Sequence, residues 1–347
     1  MLLADQIRSG HLLHPMIGDW LASDRTPLQA GLYLLFGVRN GTFYQVLSTW
    51  LEASSLLSIA VLLHRNSQAA FRLGIYFLLG VSAVYLQTTA FVWPKLLAAS
   101  FTSLLYCLVV ENVAPDLSRG AKAAAAGLLA CLSLLAHGGA VFALPGVTVV
   151  ALLRKQFPSA KNAAIAVTAF IVPIVPWLLF QKLVDPPGDR LLKWHIAGLE
   201  ARDESITFLG ALRHAYANLS FEQWLDAKLH GLWLVFSGLY KFPLDLIRTL
   251  IGRWSPTQIV ASLQDQSFSG SAYILWFFTI ALVVAVIMLA ARKASPTPVA
   301  ARLLLAGFIS FLAWIAIMFE RNGALIHQGG YFNNIALIIG ALCVAQK

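Results

Sequence analysis

Charge is what this chain has least of. Asp, Glu, Lys and Arg make up 12% of its 347 residues, against 59% hydrophobic ones, and mean hydropathy is +0.73. A soluble domain carries about twice that share of charge, so the scarcity excludes an ordinary water-soluble fold and points to lipid as solvent. Cysteine is nearly absent too. Cys107, Cys131 and Cys343 all lie in apolar stretches without metal-ligand spacing, which excludes a disulfide framework or a zinc site and predicts small buried hydrophobes. There is no internal repeat and no low-complexity tract. Residues 1–17 lack the apolar core of a signal peptide and are broken by Asp5, Arg8, His11 and His14. Acidic residues are the scarcer sign, 16 against 25 basic, for a net charge of +9. The Lys and Arg fall in ones and twos between apolar runs, so membrane orientation explains the excess better than nucleic acid, and no nucleic-acid partner is expected.

What remains is a succession of apolar segments, read as an all-α polytopic membrane protein with about nine spans. They are expected at about 43–63, 73–90, 94–110, 122–136, 139–153, 162–181, 272–291, 302–319 and 331–345. A crossing needs about 20 residues, so the pair around His137-Gly138-Gly139 is short, and either tilts or forms a re-entrant hairpin. Pro173 and Pro176 should kink the sixth span. The segment 27–36 is too short to cross and reads as an interfacial helix with Pro27 in its first turn. Four regions follow: an interfacial segment 1–42, a first bundle 43–181, an outer helical region 182–270 and the C-terminal spans 271–347. Within 182–270, Asp185-Pro186-Pro187-Gly188 signals a turn. Stretches 203–217 and 221–236 look amphipathic and helical, Ser220 with Gln223 matches a capping box, and 231–251 reads as an interfacial helix pair, with a true span as its rival.

Loops 64–72, 111–122, 154–161 and 291–302 carry the basic residues and alternate with loops poor in them, so the basic set should face the cytoplasm. The N-terminal segment and 182–270 then lie outside, with the C-terminus inside. That leaves some forty N-terminal residues outside with no span to export them, which predicts a further helix upstream of Met1.

The polar residues expected at the outer face are Asp19, Asp24, Arg25, Lys95, His137, Glu320, Arg321 and His327. Each has a plain alternative. Asp24 would cap the helix at Pro27, Lys95 would snorkel to the headgroups, His137 would be a packing residue, and Glu320-Arg321 would be an interfacial pair. Their common side of the bilayer suggests a shared chemistry instead. Transfer of a sugar from a polyprenyl phosphate needs a carboxylate to take the acceptor's proton, here Asp19 or Asp24. It also needs cations on the departing phosphate, here Lys95, Arg25 and Arg321. Trp20 and Trp93 would stack the sugar, and His137, Glu320 and His327 would complete the substrate site.

On these residues the chain resembles the GT-C class of integral-membrane glycosyltransferases, the protein mannosyltransferase and aminoarabinose transferase group. The matching features are Asp19 and Asp24 ahead of Thr26-Pro27-Leu28, then Trp93-Pro94-Lys95, then Leu134-Leu135-Ala136-His137-Gly138-Gly139, over roughly residues 10–180. It is also similar to bacterial membrane proteins that share the Asp185 to His195 loop. The resemblance implies many helices, an acidic first outer loop, a lipid-linked sugar donor, and residence in the bacterial inner membrane, where the acceptor is modified on the outer face. A divalent metal stays open as a cofactor, with no protein ligands assigned. In that family the acidic loop directly follows the first span, which is missing here. Two readings compete: a transporter or flippase-like carrier, which would place ionisable residues inside spans and repeat its halves, and a non-catalytic assembly subunit. Mid-span charge looks almost absent.

Overall fold

The computed structural model describes residues 2–13, 15–16, 20–64, 89, 94–156, 158–199, 205–252, 255, 257–258, 298–319 and 332–345. Every regular element among them is helical. In chain order these are α1 (Leu2–Ser9), α2 (Leu28–Leu35), α3 (Gly41–Ala53), α4 (Ser55–His64), α5 (Lys95–Val109), α6 (Arg119–Ala136), α7 (Ala143–Leu153), α8 (Ala160–Leu179), α9 (Arg190–Ala197), α10 (Phe208–Ala217), α11 (Phe221–Leu250), α12 (Pro298–Ile317) and α13 (Phe332–Ala345). Short 3-10 turns cover Ala22–Asp24 and Gly138–Phe142, and a π turn, Phe180–Val184, extends α8. The expected spans 73–90, apart from residue 89, and 272–291 lie outside the described residues.

Four helical stretches among the described residues are long and apolar enough to cross a membrane: Gly41–Leu63, Arg119–Ala136, Ala160–Val184 and Pro298–Ile317. Lys95–Val109, Gly138–Leu153 and Phe332–Ala341 are apolar but shorter. The membrane class rests most firmly on Ala160–Val184, an apolar stretch of 25 residues of which none is buried in the protein. An outward row including Val167, Val172 and Leu183 would be untenable in water. Both prolines expected to kink this segment lie inside α8, and regular helix gives way to the π turn just after them.

The bundle is held by backbone contacts that only glycine permits. A Cβ on Gly127 of α6 would sit 2.0 Å from the carbonyl oxygen of Ala166 on α8. One on Gly146 of α7 would sit 2.1 Å from that of Ala306 on α12. Small residues at such crossings are how helices pack when lipid supplies no hydrophobic drive. The central core gathers Ile59, Leu63, Leu96, Tyr106, Val147, Leu303, Phe332 and Ile339 from five helices. Cys107, Cys131 and Cys343 are free and buried, as their apolar settings predict.

The expected span 43–63 is broken at Ser54 into α3 and α4. The hydroxyls of Ser54, Ser55 and Ser58 donate to carbonyls three residues back, a side-chain bond that competes with the helix ladder. The region 182–270 differs more. The capping box forms: Ser220 N–H donates to Gln223 Oε1 at 3.0 Å and Gln223 N–H to Ser220 Oγ at 3.1 Å. From it runs a single helix of 30 residues, not the amphipathic stretch plus interfacial pair expected over 221–236 and 231–251. Pro243 does not end it, since a proline costs one ladder bond that neighbours in a bundle can replace. Its first turns run down α12: Lys228 Nζ donates to the Met318 carbonyl, and Leu232 packs on Phe311 and Ile315.

The packed ends of the helices sort into two groups. At one end Arg302 grips Glu111 with two hydrogen bonds, 2.9 and 2.6 Å, and Arg154 lies 3.7 Å from the same carboxylate. This joins three of the four basic loops. At the opposite end the start of α5 meets the end of α6 through Leu97, Ala98 and Ala136, with Tyr33 of α2 and Leu47 of α3 in the same cluster.

Candidate functional site

The second end carries the polar cluster. Residues 20–26 cross it as an irregular strap, fixed at each step by a partner far along the chain. Ser23 N–H donates to Asp185 Oδ2 at 2.6 Å, and Gln181 Nε2 donates to the Ser23 carbonyl at 3.0 Å and the Gly188 carbonyl at 3.2 Å. Thr26 Oγ1 donates to the Ala136 carbonyl at 2.6 Å. Asp24 Oδ2 accepts from Leu21 N–H and from Arg190 Nη1, each at 2.9 Å. The two side chains of this ion pair are 2% and 8% exposed. So Asp24 does not cap the helix at Pro27, whose cap position makes no side-chain bond.

Trp20 roofs the pair. The Arg25 guanidinium carbon stands 4.2 Å from its ring centre and that of Arg190 5.3 Å, both within cation–π range. Trp194 tilts against it at 6.4 Å. Burial pushes the Asp24 carboxyl up from the ordinary carboxylate range, against the opposing pull of Leu21 N–H, Arg190 and Arg25. Burial lowers Arg25, with Asp24 opposing. On α9, Lys193 Nζ lies 2.9 Å from Asp189 Oδ1. The α9 helix stops at Gly198, whose φ of +66° suits glycine. The Phe319 ring fills the place of a side chain there, and Phe319 N–H donates to the His195 carbonyl at 2.8 Å. His195 stacks on Trp194, and burial lowers its imidazole.

Lys95 opens α5 at the same end and is 8% exposed. Its electrostatic partner is Glu52, a carboxylate with no exposed surface. Glu52 Oε2 accepts from Leu96 N–H at 2.8 Å and Leu97 N–H at 3.1 Å, capping α5 from a neighbouring helix. Glu52 lies inside the stretch Gly41–Leu63, so the expectation of almost no charge within spans missed it. Its signal in the sequence was a single acidic letter in an apolar run. His137 closes α6 and accepts from Gly139 N–H at 3.2 Å through Nδ1, the packing role weighed for it.

Of the expected site residues, Trp20, Asp24 and Arg25 therefore form one cluster. Lys95 and His137 stand at the same end, joined to that cluster through Thr26, Ala136 and Leu97. Asp19, Trp93, Glu320, Arg321 and His327 lie outside the described residues. Arg190, Asp185, Gln181 and Lys193 were missed as site residues. The Asp185 to His195 loop was singled out as a turn and a family feature, but nothing local tells that its Arg190 reaches Asp24. Among the described residues no group of three His, Cys, Asp or Glu converges. Comparison with family models, with curated proteins and with solved structures finds no match.

Proposed function

We propose that this protein is a membrane-embedded glycosyltransferase of the GT-C type. It would move a sugar from a polyprenyl-phosphate donor to an acceptor on the outer face of a bacterial inner membrane. The observation that carries the reading is the buried Asp24–Arg190 pair under Trp20, with Arg25 beside it and Lys95 at the same end of an apolar bundle. In this reading the donor phosphate draws Arg190 from Asp24 and gains Lys95 and Arg25 as further partners. The released carboxylate takes the acceptor's hydroxyl proton. The acceptor oxygen bonds to the sugar's anomeric carbon as the bond to phosphate breaks, and the polyprenyl phosphate leaves. Asp19 and Arg321 are further members of the expected set.

The test is transfer from a labelled polyprenyl-phosphate sugar by protein in liposomes. Asp24→Asn and Lys95→Ala should each lower transfer by about 10²–10³. Because Asp24→Asn strands a buried guanidinium, the neutral pair Asp24→Asn with Arg190→Gln serves as the folded control. Full transfer by that folded double variant would remove Asp24 from the chemistry. No release of polyprenyl phosphate by the wild type, with sugars and acceptors varied, would remove the enzyme.

Glu52 favours a second reading, a carrier. A buried carboxylate inside a membrane-crossing stretch, electrostatically paired with Lys95, is what a coupled transporter uses. Proton uptake by liposomes holding the protein, abolished in Glu52→Gln, would support the carrier over the transferase.

A further inference from the structure

At the end of the bundle opposite the Asp24 cluster, α6 and α8 start side by side. They frame an open groove of about 760 Å³. Its walls are apolar, from Ala124 and Leu128 on α6 and Val172 and Pro173 on α8, with the Thr168 hydroxyl partway along. Lys161 sits at its mouth, and Arg119 begins α6 next to it, since Gly120 faces Ile165 across the crossing. Both side chains are exposed. Neither helix has an acidic residue in its first turn, where carboxylates ordinarily offset the helix dipole. Lys155, also exposed, lies in the short loop before α8. Lys122 is already engaged by Asn112 Oδ1 and the Pro115 carbonyl, and Asp116 is the nearby carboxylate in the sequence. The rim is thus positive and the trough apolar, on a helix with no fully buried residue.

We propose that this groove holds one anionic phospholipid. An acyl chain would lie along Leu128, Thr168 and Val172, with the phosphate between Arg119 and Lys161. The charge of the rim selects an anionic headgroup over a zwitterionic one, and the apolar walls of the trough select a chain-bearing lipid over a free anion.

The experiment titrates the whole protein in detergent with phosphatidylglycerol or phosphatidylcholine and counts retained lipids by native mass spectrometry. The wild type should retain one phosphatidylglycerol at concentrations where phosphatidylcholine is lost. Lys161→Gln should weaken that retention about fivefold, and Lys161→Arg should preserve it. Thr168→Trp should weaken it with the rim charges intact, because the indole occupies the trough. Equal retention of the two lipids, or no effect of Lys161→Gln, overturns the proposal. So does a cysteine at position 168 that cross-links to the chain's own residues 272–291 or 73–90, or to a second copy, since the groove would then be filled by protein.

Discussion

Asp24 is the residue on which the polar cluster turns, and its partners make its energetics testable. Removing one member of a buried ion pair leaves an uncompensated charge, at a cost of about 3–5 kcal/mol. Asp24→Asn or Arg190→Met alone should therefore destabilise strongly, while the two together cost clearly less. A double-mutant cycle read by thermal unfolding in detergent checks this, and additive losses would show that the pair carries no coupling. His195 gives a pH signature. Burial depresses its folded-state pKa below the usual 6.5, so the unfolded chain takes up a proton first as pH falls. Its contribution is complete above about pH 6.5 and is lost as pH drops through the depressed value, with a slope of at most about 1.4 kcal/mol per pH unit. His195→Phe should flatten that part of the stability curve. At this scale the sequence made Asp24, Arg25 and Trp20 legible because they are neighbours in one polar stretch. It hid Arg190 and Glu52, whose meaning comes from partners dozens to more than a hundred residues away.

Elements were easiest to read where a local signal decides them. The capping box at Ser220 is one: two side chains three residues apart satisfy each other's backbone. Ser220→Ala should cost about 1 kcal/mol and fray the first turn of α11, seen as faster amide exchange there. The continuity of α11 was not legible, because Lys241, Pro243 and Asp245 look like a break when neighbours are unknown. The breaks elsewhere follow the same logic in reverse, since Ser54 ends a helix that apolar length alone would carry through. Crossings are stricter still. Gly146→Ala puts a methyl into the Ala306 carbonyl and the Ser310 hydroxyl and should destabilise by about 1–3 kcal/mol. At Gly31, whose Cβ would meet nothing, the same change should be tolerated.

For the whole molecule, the all-helical membrane class was written in composition, since nothing but lipid or protein can cover a helix like α8. The alternation of basic loops also foretold that Glu111, Arg154 and Arg302 would meet at one end. The number of crossings was less legible, because several apolar helices are shorter than a bilayer and hydropathy alone cannot say how they tilt. Orientation can be measured. A single cysteine introduced at Arg213 of α10 should react with an impermeant maleimide on intact cells, and one introduced at Lys155 only after permeabilisation. The reverse pattern would invert the bundle.

The strap has a consequence in time. Ser23 and Asp24 find their partners 162 and 166 residues later, after α3 to α8 have been made. At about 5–20 residues per second of synthesis, Asp24 waits on the order of ten to thirty seconds with its charge unmatched. The strap is thus made well before the residues that secure it. A nascent chain arrested before residue 190 should expose residues 20–26 to added protease, and one released past residue 198 should protect them. That protection would mark the moment at which the strap is locked to the segment 185–190.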